Sequence, residues 1–159
     1  MQIAVIAVGK LKEKYWKSAW DEYAKRLHSY AKLQIIEVAD EPAPEQLSEA
    51  QADQVKAKEA ERILAHVKDR DYIITLEIKG KSFTSESFAD HMDKIAQQGH
   101  GRLVFIIGGS LGLHDSVTKR SNTPLSFSAF TFPHQLMRCI LIEQIYRAFR
   151  IMRGEPYHK

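Results

Sequence analysis

The chain has 159 residues, 44% of them apolar and 27% charged, with a formal net charge of +3. That length suits one domain able to bury about two-thirds of its unfolded surface. The composition is that of an ordinary globular protein, and the charge is too small for a chain that binds nucleic acid over its whole surface. The single cysteine, Cys139, excludes a disulfide framework within the chain and suits a reducing cytoplasm.

Met1 to Val8 is a strand candidate, too short for a signal-peptide core or a membrane span, so the chain is expected to stay in the cytoplasm. Lys10, Lys12, Lys14 and Lys17 follow. Trp16, Trp20, Tyr23 and Leu27 then recur at helical spacing, marking a helix with an aromatic inner face. Leu33 to Val38 is a second strand, and Asp40-Glu41-Pro42-Ala43-Pro44 reads as a loop. Ser48 to about Lys68 is a charge-rich helix whose charges are expected to form a solvated face. Tyr72 to Ile78 is a third strand, ended by Lys79-Gly80-Lys81. Ser85 is placed to cap a helix running to about Gln98.

Leu103 to Ile107 is continuously apolar and closed by Gly108-Gly109, the pattern of a strand covered on both faces. In open α/β sheets ligands lie beyond the carboxyl ends of strands, and glycines there let a ligand approach the backbone. The same turn without a ligand would also serve simply to reverse the chain. Gly108-Gly109-Ser110-Leu111-Gly112 also matches the G-x-S-x-G elbow of α/β-hydrolases. Against that reading, only a short segment follows to supply an acid and a histidine (Asp115, Glu143, His134, His158), and no HGGG-type oxyanion segment precedes it.

Leu125 to Ser128 alternates as a short strand, Thr131 is an N-cap candidate, and Pro133 fits the first turn of a helix reaching Met152. Leu136, Met137, Ile140, Leu141, Ile145, Ala148 and Met152 form one apolar stripe. Cys139, Ile142, Tyr146 and Phe149 form a second. Such a helix belongs at a subunit interface or, alternatively, has its second stripe under a neighbouring helix of the same chain. The alternation of strands and helices implies an α/β fold, a mainly parallel sheet with helices on both faces.

Gly108-Gly109 with Gly112, Leu125-Ser126 and Ser128, Thr131, Pro133-His134, Arg138, Glu143-Gln144, Tyr146-Arg147-Ala148 and the closing Pro156-Tyr157-His158 together resemble the RlmH family of small SPOUT-class methyltransferases. The opening Ile3 to Lys12 (IAVIAVGKLK) resembles it too, so the likeness covers essentially the whole chain. The resemblance implies a single SPOUT methyltransferase domain over residues 1–159. Within about 72–152 it implies a C-terminal trefoil knot made by the segments around Leu76, Gly108 and Phe127 to Phe132. It implies S-adenosyl-L-methionine, bound in a bent form at Leu76, Gly108, Phe127, Ser128, Ala129, Phe130, Thr131 and Phe132. The implied reaction is methylation of N3 of a pseudouridine in the 23S rRNA of the assembled ribosome. A two-fold homodimer is implied, with the long helix at its interface and the tail of one subunit closing the pocket of the other. No metal and no membrane are expected.

Methyl transfer from a sulfonium chiefly requires alignment, but an imino N–H is mostly protonated at neutral pH and a general base helps. His158 is expected in that role, with His134 and Glu143 as alternatives. Arg138, Arg153, Tyr157, His158 and Lys159 are the expected RNA contacts, by phosphate neutralisation and base stacking. Where the family often ends in Arg, Lys159 offers charge without a bidentate clasp. A serine hydrolase acting through Ser110 and a non-catalytic RNA-binding module are the competing functions.

Overall fold

A computed structural model describes residues 1–159. The strands are β1 (Gln2–Val8), β2 (Lys32–Val38), β3 (Tyr72–Ser82), β4 (Leu103–Ile107) and β5 (Thr123–Ser126), and the helices are α1 (Lys14–Leu27), α2 (Glu49–Leu64), α3 (Ser85–Ala96), α4 (Asp115–Thr118) and α5 (His134–Met152). The five strands form one sheet in the order β2-β1-β4-β3-β5, and every pairing is parallel. The expected α/β architecture is therefore present, with two separate cores. Alternation along the strands sends Ile3, Val5, Phe105 and Ile107 to a face covered by α1, α3 and α5. It sends Ala4, Ile6, Val104 and Ile106 to a face where α2 contributes Ala60 and Ile63 and α4 contributes Val117. All five residues of β4 are buried, as its unbroken apolar run requires.

Several boundaries differ from expectation for identifiable reasons. β3 runs on through Lys79-Gly80-Lys81 because Leu76 and Lys81 both pair with Leu125, extruding residues 77–80 as a wide bulge. Gly80 permits the bulge, since a Cβ there would lie 2.8 Å from the Pro124 main chain. Thr84, rather than Ser85, caps α3 in a reciprocal capping box with Ser87, the same device that Ser48 and Gln51 provide for α2. Phe127 and Ser128 leave the strand after Ser126. Thr131 does not cap α5. Pro133 holds that position without a side-chain bond, because residues 127–132 take a separate, non-helical path.

The second stripe of α5 lies under a helix of the same chain rather than at a subunit interface. Cys139 Sγ donates to the Trp16 carbonyl, Tyr146 packs against Tyr23, and Phe149 stacks on Tyr30. Cys139 is thus a core residue, and burial pushes its thiol upward. No helix is long and apolar enough to cross a membrane.

Candidate functional site

At the carboxyl ends of β3, β4 and β5 lies a cavity of about 330 Å³. Three stretches of chain meet there: the β3 bulge with Leu76, Glu77 and Ile78, the turn from Ile107 to Leu113, and the loop between β5 and α5. Of the residues expected to hold a cofactor, Leu76, Gly108, Phe127, Ser128, Phe130, Thr131 and Phe132 line this cavity, whereas Ala129, between two of them, does not. Glu77, Leu111, Leu113 and Met137 also line it. Glu77 was not legible in the sequence because only the bulge turns it inward, where Thr75 Oγ1 donates to its carboxylate.

The floor is a tight turn in which the Gly112 N–H donates to the Gly109 carbonyl at 3.0 Å. Gly112 takes φ +86°, open to glycine at little cost. A Cβ on Gly108 would stand 2.9 Å from Leu113 Cδ2, so the absent side chain shapes the floor. Ser110 makes no hydrogen bond to any histidine, and no residue other than glycine has positive φ, so the strained nucleophile elbow of a hydrolase is not formed.

Residues 127–132 are unusual in their bonding. The Phe130 N–H donates to Ser128 Oγ and the Ser128 carbonyl accepts from Ser126 Oγ. The other main-chain polar groups of this loop make no hydrogen bond within the chain. Backbone groups left bare beside a cavity are available to a ligand. Phe130, 78% exposed, stands at the mouth. Apolar walls with free amides and carbonyls along one side fit a flat heteroaromatic ring.

The C-terminal tail lies elsewhere on the same chain. His158 Nε2 bonds Glu86 at 2.7 Å and its Nδ1 meets Arg147 at 3.1 Å. The bond from His158 holds the Glu86 carboxyl below its usual range. Arg147 pairs with Glu143 one turn earlier, the Tyr157 hydroxyl donates to the same carboxylate, and burial with that bond pushes the Tyr157 phenol well up. Met137 lines the cavity and Arg147 lies ten residues on, about 15 Å along the helix. Within one chain, then, His158 and Glu143 are not at the cavity, while His134 is. Of the expected RNA contacts, Arg153 and Lys159 are exposed and Tyr157 half-buried. Arg138 is 2% exposed. It donates to Glu37 at 2.6 Å and to the Gly9 carbonyl, which leaves it no outward face for a phosphate.

A family model described as "Predicted SPOUT methyltransferase" matches residues 1–158. The chain belongs to the SPOUT methyltransferase family. It is 60% identical, over all of both chains, to a protein of Pediococcus pentosaceus named "Ribosomal RNA large subunit methyltransferase H". Its fold is similar to that of a probable methylase family protein from Haemophilus influenzae Rd KW20, with a TM-score of 0.52 at 14% identity over 99% of this chain and 70% of that one.

Proposed function

We propose that this methyltransferase acts on N3 of a pseudouridine in 23S rRNA of the assembled ribosome, in the cytoplasm, with S-adenosyl-L-methionine as donor. The observation that carries the reading is the convergence of Leu76, Gly108 and Phe127 to Phe132 on one cavity whose loop leaves its backbone polar groups unpaired. The name of the Pediococcus relative supports the RNA substrate. When bound, the donor supplies a methyl made electrophilic by the sulfonium. The chain supplies position: the Gly108 turn and the 127–132 loop hold the adenine-bearing part, and apolar walls exclude water. The passage of these three segments past one another is read as the trefoil knot of the family.

The protein is proposed to work as a two-fold homodimer. His158, which does not line its own cavity and is held by Glu86 and Arg147, then acts as general base at the cavity of the other subunit. Tyr157 stacks on the target base, and Arg153 and Lys159 approach the phosphates. The exposed Phe130 at the mouth supports a partner covering it. Incubation with labelled S-adenosylmethionine and ribosomes from a strain lacking the modification, followed by mass spectrometric location of the methyl, tests the proposal. Methyl on N3 of one pseudouridine is the expected result, and no incorporation into ribosomal RNA rejects it.

A further inference from the structure

A second cavity, of about 200 Å³, abuts the first and shares Gly109, Ser110 and His134 with it. It lies at the carboxyl ends of β1 and β4, where Val8, Gly9 and Gly109 line it. From this pair of strands the sheet extends to β2 on one side and to β3 and β5 on the other. Crevices at such switch points are where open α/β sheets hold ligands. Val8 is its one hydrophobic lining residue, in contrast to the largely apolar donor cavity.

One wall carries a carboxylate that is only half bonded. Glu59 is 5% exposed, although Glu49, Asp53 and Glu61 of the same helix face solvent. Its Oε2 accepts from the Glu41 amide at 3.0 Å, whereas Oε1 makes no hydrogen bond. Oε1 lies over Gly109, where an added Cβ would stand 3.0 Å from it. Burial pushes this carboxyl upward, outweighing the Glu41 bond. Arg138 has Nη1 and Nη2 engaged, but its buried Nε and the buried Oε1 of Gln135 have no partner. A polar atom left without a partner is costly, so Glu59 Oε1, held over Gly109 at the cavity, marks where a polar ring completes the bonding.

Resting on the pseudouridine reading above, we infer that this cavity holds the acceptor ring and that Glu59 selects pseudouridine by accepting a hydrogen bond from its N1–H. In uridine the sugar occupies N1, and in pseudouridine it is carried on C5, leaving N1–H free. N1, C2 and N3 are consecutive ring positions. With N1–H on Glu59, N3 faces the shared wall toward the donor cavity. Lys10 and Lys12, at the rim, approach the flanking phosphates. A uridine in the same pose presents C–H to Glu59 and leaves its Oε1 unpaired, the arrangement by which sites reject analogues lacking a donor.

The test compares wild type with Glu59→Gln on ribosomes that carry pseudouridine or uridine at the methylated position, the latter from a strain without the responsible pseudouridine synthase. In the variant the amide oxygen replaces Oε2 on the Glu41 amide and turns the NH₂ toward N1–H. Wild type should favour pseudouridine, and in the variant the ratio of kcat/KM values should fall by about tenfold or more. An unchanged ratio, including one in which both rates fall together, assigns Glu59 a structural role and overturns the inference, as does a wild type indifferent to the two ribosomes. A wild type inactive on both overturns the pseudouridine reading itself. If thermal melting shows that Glu59→Gln does not fold, Gly109→Ala, which sets a methyl against Oε1, makes the same comparison and must lower the same ratio.

Discussion

Arg102 grips Asp71 at the amino ends of β4 and β3, Nε donating to Oδ1 at 3.0 Å and Nη2 to Oδ2 at 2.7 Å. Asp71 is 4% exposed. Burial raises its carboxyl, but the bonds from Arg102 and the Lys68 amide outweigh this and hold it below the ordinary 3.8. Such a forked, charge-assisted pair fixes the two strands in register below the site. Asp71→Ala leaves the guanidinium without its partner and should cost about 3 kcal/mol in urea unfolding at pH 7. Since the folded value is depressed, the contribution is complete above about pH 4 and is lost as pH falls through the folded value. The difference between wild type and variant should therefore shrink on acidification, and a constant difference from pH 7 to pH 2 would refute it.

Gly108→Ala introduces a Cβ 2.9 Å from Leu113 Cδ2 and 3.0 Å from the Gly112 main chain. The floor of the donor cavity must shift, and affinity for S-adenosylhomocysteine in titration calorimetry should drop by about tenfold, or 1.4 kcal/mol.

His158→Ala should lower turnover by about a hundredfold while S-adenosylhomocysteine affinity stays as in wild type, because the residue lies away from its own cavity. Turnover unchanged at every pH would remove His158 from the mechanism. At a donor concentration well below the Gly108→Ala affinity, chains carrying His158→Ala mixed with Gly108→Ala chains should be more active than either set alone if the tail works across the dimer.

Ile142 is fully buried on the stripe of α5 that α1 and the sheet cover. Ile142→Ala should cost about 3 kcal/mol by cavity formation, read from the denaturation midpoint.

What could be read in the sequence was what rests on local pattern. Leu103–Ile107 was unmistakable, since an unbroken apolar run closed by two glycines has few other structures open to it. The cavity-lining loop was reached through resemblance, and seven of the eight residues it named line the cavity, Ala129 excepted. Periodicity identified two buried faces on α5 but could not say what covers them, and α1 of the same chain does so. The β3 bulge was hidden because Lys79-Gly80-Lys81 has the composition of a turn, while its continuation depends on pairing with a distant strand. Glu59 was hidden for a related reason. One carboxylate among many on a charged helix carries no mark of burial until Gly109 is packed above it.

The segment Gly109-Ser110 serves as a party wall between two chambers. A change in the wall is felt on both sides, whereas changes in α2 or after β1 reach one chamber alone. On the acceptor assignment inferred above, those outlying positions retune which nucleotide is accepted, with the machinery for the common donor left untouched.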